Sequence, residues 1–334
     1  MQPLKVGIIG LGVGEQHLAA YERHPGCKVV AMCDLSQEKL AAARKQYPQV
    51  NLTTRAAQLI GDPDIDLVSI ASFDDAHFEQ ALKAIELGKH VFVEKPLCRS
   101  VAELRLLKKA ILERPQVRLT SNLVLRAAPV YNWLRAMIQD GVLGEIYAFD
   151  GDYLYGRLDK ITEGWRKDVP DYSVMQGGGI HLLDLMLWLT GERPITVSAV
   201  GNRICTAGTA FRYHDFVAAT FQFPSGLVGR VTANFGCVHR HQHVVRLFGT
   251  QGTFLYDDQG PRGHFSRDPQ VAPQKLPLAT LPATKGDLIK DFVDHILEGR
   301  DLRQEVQHEF NLVSICVAAD LALATSKTTE IDYV

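Results

Sequence analysis

The chain has 334 residues, 46% of them apolar and 22% charged, and its 36 basic and 38 acidic side chains leave a formal charge of −2. That length fits about two domains, and the near-neutral, apolar-rich composition excludes a disordered chain and a general polyanion binder, so nucleic acid is not an expected partner. The longest apolar runs fall far short of the ~20 residues that cross a bilayer, and no charged leader with a hydrophobic signal core precedes the first strand-like run. A cytoplasmic chain with no membrane partner is the expectation. Cys27, Cys33, Cys98, Cys205, Cys237 and Cys316 form no CxxC pair and read as reduced, mostly buried thiols.

In chain order, Leu4–Ile9, Cys27–Cys33, Leu67–Ala71, His90–Val93 and Val117–Ser121 are short apolar runs suited to strands buried on both faces, with helical periodicity between them. His77–Leu87 places Phe78, Ala81, Leu82 and Ile85 on one face and stops at Gly88, and Ser100 with Glu103 makes a capping box ahead of Val101, Leu104, Leu107 and Ile111. This βαβ rhythm predicts a doubly wound dinucleotide-binding domain over residues 1–121. From 122 to 334 the pattern predicts an α+β domain with a large, mostly antiparallel, open-faced sheet. It opens on a helix with Val130, Trp133, Leu134, Met137 and Ile138. Strands follow at Ile146–Tyr155, Ile195–Val200, Phe211–Phe223, Leu227–Phe235 and His243–Phe248, with a tight turn at Pro224-Ser225-Gly226. Helices are expected near Gly179–Leu189, Gly286–Leu297 and Arg303–Thr325, and the Pro- and Gly-rich stretch Asp257–Thr284 reads as a long surface loop.

Gly10-Leu11-Gly12-Val13-Gly14 lies where the first strand must turn into a helix, so backbone amides can approach a pyrophosphate at the helix N-terminus. Its spacing departs from GxGxxG, with Glu15 at the third glycine's position. Asp34 ends the second strand, where a carboxylate can accept from an adenosine ribose and repel a 2′-phosphate, which favours NAD over NADP; as an alternative it could cap the next helix with Ser36.

Val91-Phe92-Val93-Glu94-Lys95-Pro96-Leu97 ends a further strand, and here the chain resembles the Gfo/Idh/MocA family of NAD(P)-dependent oxidoreductases, whose signature is Glu-Lys-Pro. The likeness extends through Ala71-Ser72-Phe73-Asp74-Asp75-Ala76-His77, Asn122, Gly141–Ile146, Gly177-Gly178-Gly179-Ile180-His181 and Phe248–Gly252, in order and at matching spacing. It implies an enzyme that transfers a hydride between nicotinamide and a hydroxyl or keto carbon of a sugar, nucleotide sugar or cyclic polyol. It also implies cofactor contacts from Ser72, Phe73, His77, Glu94 and Lys95 beside those of Gly10–Gly14 and Asp34. Two departures stand out. Ser72-Phe73-Asp74 replaces the family's common Thr-Pro-Asn, and Gly177 stands where many members carry an Asp four residues before the histidine.

Alcohol oxidation needs a base beside the hydroxyl. His181 is the candidate base, Lys95 the candidate donor to the reacting oxygen, and Asp184, one helical turn on, could hold the imidazole tautomer. Asn122, Arg126, Tyr153, Trp165, Arg166 and Tyr172 are the candidate substrate contacts, because aromatic faces, amides and guanidinium groups suit a polyol or sugar. His239, His241 and His243 alternate as strand neighbours do, and a polar strand face or a subunit contact is expected there rather than a metal. Trp188 reads as helix core. Two other functions fit the same frame: a glycosidase or lyase that oxidises its substrate transiently with NAD, and a dinucleotide-sensing regulator without catalysis. An uncovered sheet face predicts a homodimer or homotetramer.

Overall fold

The computed structural model describes residues 2–334. The chain divides into two compact units: residues up to Val124 with Ala283–Val313 and Val334, and Leu125–Pro282 with Ser314–Tyr333.

The first unit holds six strands, β1 (Leu4–Ile9), β2 (Cys27–Cys33), β3 (Asn51–Thr53), β4 (Leu67–Ile70), β5 (His90–Val93) and β6 (Leu119–Ser121). All pair in parallel, in the order β3-β2-β1-β4-β5-β6. The order reverses between β1 and β4, the place where open α/β sheets bind ligands beyond their strand ends. Helices α1 (Gly14–Arg23), α2 (Gln37–Gln46), α3 (Ala56–Ile60), α4 (His77–Glu86) and α5 (Val101–Glu113) supply the crossovers. Val6, Ile8, Leu67, Val68, Ile70, Val91, Phe92 and Val93 are fully buried, as strands covered on both faces must be. The Ser100–Glu103 capping box forms as the sequence predicts.

The second unit begins with α6 (Pro129–Gln139), β7 (Ile146–Leu154), α7 (Asp159–Thr162) and α8 (Ile180–Thr190). Strands β8 (Thr196–Asn202), β9 (Phe216–Gln222), β10 (Val228–Asn234), β11 (Gln242–Gly249), β12 (Thr253–Asp257), β13 (Gly260–His264) and β14 (Gln274–Lys275) follow. The chain then runs through α9 (Ile289–Leu297) and α10 (Arg303–Thr325) to β15 (Thr329–Glu330). The nine-stranded sheet has the order β14-β13-β12-β11-β7-β10-β9-β8-β15 and is antiparallel except where β7 meets β10. The β9–β10 turn falls at the predicted Pro224-Ser225-Gly226.

Two sequence expectations need correction. The domain assigned to 122–334 is interrupted, because Ala283–Val313 belongs to the first unit. The physical reason is the apolar face of α9: Ile289, Phe292 and Val293, with Leu302, join the core built on Val6, Ile8, Leu18, Tyr21 and Phe92. The stretch read as a surface loop contains β13 and β14, which extend the sheet by pairing with β12 and with each other. One helix, α10, is long and apolar enough by length and composition to cross a membrane, yet its apolar positions Phe310, Leu312, Ile315, Cys316, Ala319 and Ala322 are core.

Candidate active site

The cofactor half of the site is built by the first unit. β1 ends at Ile9 and the chain turns through Gly10, whose φ of +89° suits glycine and whose missing side chain lets the backbone press against the Ala71 carbonyl. A Cβ at Gly12 would meet only the Lys39 Nζ, 3.7 Å away, so that amide edge stays open to a ligand. α1 starts at Gly14 with no side-chain cap, which leaves its first N–H groups available. Asp34, at the end of β2, accepts from the Leu11 amide at 2.6 Å and the Ser36 amide at 2.8 Å, and lies 3.4 Å from Lys39 Nζ. Ser36 itself caps α2, accepting from the Lys39 amide. Asp34 therefore bridges the glycine turn to α2 instead of capping the helix; Oδ2 takes the Leu11 amide and Lys39, while Oδ1, which takes the Ser36 amide, keeps a second lone pair for a ribose hydroxyl. These features fit a dinucleotide: with the Gly10 and Leu11 amides already given to Cys33 and Asp34, the amides of Gly12–Gly14 would hold the pyrophosphate and Asp34 the ribose.

The other predicted cofactor residues divide. Ser72 and Phe73 lie in the β4–α4 turn, where the Ser72 hydroxyl donates to Gln80 at 2.8 Å and the Phe73 ring is 46% exposed. Lys95 follows β5, half-buried, and its peptide bond to Pro96 is cis. The side chains of His77 and Glu94 have partners within the first unit. His77 is wholly buried, its Nδ1 2.8 Å from the Pro96 carbonyl and its Nε2 3.2 Å from the Ser72 carbonyl, so both ring nitrogens face backbone instead of a ligand. The Glu94 Oε1 faces inward to His17 Nε2 at 3.1 Å and to the Asn122 amide at 2.7 Å. Burial pushes the Glu94 carboxyl up, but the hydrogen bond and electrostatic pull of His17, the nearby Lys285 charge and the Asn122 bond together bring it down to about 2. Asn122 is fully buried in the first unit, donating to Glu94 and to the Lys285 carbonyl, both at 2.7 Å.

In the second unit, a π-turn over Met175–Gly179 runs into α8, which carries His181 in its first turn. His181 is buried among rings: Tyr153 lies parallel at 6.2 Å and His243 edge-on at 5.6 Å, with His241 4.9 Å from His243. Tyr153 and His243 are direct cross-strand partners on β7 and β11. The polar strand face expected for the three histidines is thus corrected: His241 and His243 turn into this ring cluster, while His239 pairs with Asp258 at 3.2 Å.

Asp184 does not simply serve His181. It is 1% exposed and takes both Nε and Nη2 of Arg126 in a forked ion pair. The Arg126 and Arg135 guanidinium groups stand 5.7 and 4.7 Å from the ring centre of Trp188, so Trp188 is a cation platform and not only core. The Arg166 guanidinium lies 4.5 Å from the Trp165 ring centre and donates from Nε to the Tyr172 hydroxyl at 2.9 Å. That hydroxyl occupies the space a side chain at Gly177 would need.

The residues unforeseen in the sequence are buried polar ones. His17 shares the buried stripe of α1 with Gly14, Leu18 and Tyr21, so its helical spacing was a readable signal. Asp320, in α10, accepts from the Ser173 hydroxyl at 2.7 Å and the Gln176 amide at 2.8 Å, and so anchors the turn that leads to His181. Burial pushes its carboxyl up to about 6, above the 3.8 of an exposed aspartate, despite those two bonds. A folded value above the unfolded one means that ionised Asp320 costs stability above pH ~6 and costs nothing below pH ~4, where it is protonated in both states. Asp320→Asn should therefore gain roughly 1–3 kcal/mol at pH 8 and nothing near pH 4, a contrast that urea melts at the two pH values will measure. An equal gain at both would place its origin outside this titration.

A parallel sheet in 3-2-1-4-5-6 order, an open glycine turn and an acid ending its second strand define a dinucleotide-dependent oxidoreductase when joined to a separate α+β unit bearing an imidazole. Residues 4–122 match the family model for the oxidoreductase family with the NAD-binding Rossmann fold, and residues 131–255 match the Gfo/Idh/MocA C-terminal domain. The chain belongs to the Gfo/Idh/MocA family; it is an NAD-linked oxidoreductase. It is 27% identical over 292 residues to levoglucosan dehydrogenase of Pseudarthrobacter phenanthrenivorans, covering 77% of this chain and 74% of that one. It is 30% identical over 260 residues to 1,5-anhydro-D-fructose reductase of Ensifer adhaerens, covering 75% and 74%. A solved levoglucosan dehydrogenase complex with NADH and levoglucosan shares the fold over 100% of both chains, at TM-score 0.87 and 24% identity.

Proposed function

We propose that the protein oxidises a ring hydroxyl of a cyclic anhydrosugar or polyol with NAD, or reduces the matching ketone. The observation that carries this reading is the ring cluster around His181, in which Tyr153 and His243 flank the imidazole and the Arg166–Tyr172 couple is one further source of directional donors. Sugar rings present apolar faces to aromatics and hydroxyls to such donors. The curated relatives support the same class, with names that include levoglucosan dehydrogenase, 1,5-anhydro-D-fructose reductase and myo-inositol 2-dehydrogenase. NAD held at the Gly12–Gly14 amides and Asp34 would supply the hydride acceptor for the carbinol carbon. In the proposed roles, His181 takes the hydroxyl proton, and the Lys95 ammonium donates a hydrogen bond to the same oxygen and stabilises its growing negative charge. The test is a panel of levoglucosan, 1,5-anhydro-D-fructose and myo-inositol, read at the NADH absorbance band in both directions. Turnover of at least one supports the class; no change with any member removes it.

A second reading has specific support, since relatives also include a 2,7-anhydro-N-acetylneuraminate hydratase of Escherichia coli and a glycosyl hydrolase family 109 protein of Bacteroides fragilis. Transient oxidation would then give product with no net NADH, which mass analysis of the sugar distinguishes from the first reading.

Cofactor choice is proposed to rest on Asp34. A carboxylate held by two amides would repel a 2′-phosphate, so NADP should bind at least about tenfold more weakly than NAD, even with Lys39 softening the charge. Asp34→Ala should weaken NAD and close most of that gap in a fluorescence titration. Equal wild-type affinities would sink the assignment. Assembly as a homodimer or homotetramer is proposed through the sheet face that exposes Val200 and Val228, and a single-chain mass in light scattering would contradict it.

A further inference from the structure

Lys95 sits between two residues that the first unit pins from opposite sides. On one side His77 lies against backbone at both ring nitrogens, Nδ1 2.8 Å from the Pro96 carbonyl and Nε2 3.2 Å from the Ser72 carbonyl. On the other side stands Glu94, whose carboxylate meets side chains from two segments, each tied in turn to a further one. His17 arrives from α1, fully buried, with Nε2 3.1 Å from Glu94 Oε1 and Nδ1 3.0 Å from the Ser69 hydroxyl of β4. Asn122 arrives from the end of β6 and donates to the same Oε1, and its amide also donates to the carbonyl of Lys285. Lys285 in turn is tied to α1, its amide donating to Gln16 at 2.8 Å.

Bond polarity fixes the ring. An ionised carboxylate only accepts, so Nε2 must carry the hydrogen that faces Glu94, and in a neutral ring the Ser69 hydroxyl then donates to Nδ1. An arrangement like this is a poor source of stability, because apolar side chains of similar volume would serve as well without the cost of burying a charge. What it does supply is a single geometry. With the Pro96 side held by His77, a shift at Glu94 has no slack to relax into and is passed to Lys95.

We infer that His17 is a positioning residue for catalysis: through its Nε2–Glu94 hydrogen bond it sets where the Lys95 ammonium points. The inference rests on the proposed role of Lys95 as donor to the reacting oxygen.

The test compares His17→Asn with His17→Gln in the full chain. Asparagine places its amide near Nδ1 and loses Glu94, whereas glutamine reaches the place of Nε2 and can keep it. Turnover is assayed with NAD and levoglucosan, NADH binding by fluorescence, and amide hydrogen exchange across Val93–Leu97 supplies a readout that needs no substrate. His17→Asn should lower kcat by about tenfold to 10²-fold, as a small misplacement of a reacting group does, with NADH affinity retained and exchange over Val93–Leu97 accelerated. His17→Gln should recover most of both losses. Should His17→Asn fail to fold, Glu94→Met keeps the length and removes the acceptor, and is expected to show the same fall in kcat and the same faster exchange. Equal losses in the Asn and Gln variants would make His17 ordinary core packing and overturn the inference. Lys95→Met is run in parallel. If it is slow while His17→Asn keeps wild-type kcat and exchange, the positioning role alone is wrong; if Lys95→Met turns over normally, the role of Lys95 falls and this inference with it.

Discussion

Lys95→Met and His181→Ala should each slow turnover by about 10²–10⁴-fold, the usual worth of a positioned acid or base, which is roughly 3–5 kcal/mol of barrier. Methionine keeps the length and apolar stem of Lys95, so strand β5 and its buried Val91, Phe92 and Val93 keep their packing. His181→Ala removes one ring from a cluster that still holds Tyr153, His241 and His243, and a modest fall in melting temperature is expected with it. The decisive measurement is the single-turnover rate at saturating NAD, with NADH binding and melting recorded on the same samples. Because both groups are proposed to act on one oxygen in one step, the double variant should cost little more than the worse single one. A double variant as fast as wild type, with normal binding and melting, would move the chemistry to other residues.

Much of the first unit was legible because its strands are short apolar runs separated by amphipathic helices, a pattern with few other solutions. Asp34 was legible for the same reason: once two strands and a glycine turn are placed, the end of the second strand is a known address. What the pattern could not show was return. α9 is readable as an amphipathic helix, but that Phe292 would meet Phe92 at 5.8 Å depends on a contact between residues 200 positions apart. β3 was missed because three residues, Asn51–Thr53, are too few to carry a period. β13 and β14 were missed because Gly260, Pro261 and Gly263 spell a loop locally, while the edge of β12 offers a ladder that overrides propensity.

The candidate site follows a similar division. Its motifs are legible as positions, yet the partners of their side chains are not, since a polar side chain in a signature reads as ligand-facing whether it points outward or in. Asn122 illustrates the limit: its partners Glu94 and Lys285 lie 28 and 163 residues away, and no local feature announces either. Asp184 is one turn from His181 as expected, but helical spacing places a neighbour without excluding a stronger partner, and the Arg126 fork is that partner. His17 carried a usable signal, a histidine on the buried stripe of a helix, where such a residue must find polar partners or destabilise the core.

Gly177→Asp should destabilise the protein and abolish turnover instead of restoring a missing acid. Spacing alone suggested a gap in the chemistry before His181. The gap is filled, because a Cβ at 177 would fall within contact range of the Tyr172 hydroxyl and ring. Tyr172 cannot easily yield: it is 5% exposed, packed edge-on against Trp165 at 6.3 Å and Phe211 at 5.9 Å, and its hydroxyl receives the Arg166 Nε–H at 2.9 Å. Overpacking of this kind typically costs about 1–3 kcal/mol, and a carboxylate forced into the same space adds a charge with no room for water. The damage also reaches the base, since Gly177 lies in the π-turn that delivers His181 and donates its amide to the Ser173 carbonyl at 2.8 Å. The check is a thermodynamic cycle with Tyr172→Ala, which removes the obstructing phenol. If crowding is the cause, Gly177→Asp should cost far less stability in the Tyr172→Ala background than in wild type, a coupling of about 1 kcal/mol or more. Additive losses would show that the phenol is not the obstacle, and a Gly177→Asp variant that folds normally and turns over faster would show that the position is an unfilled acid after all.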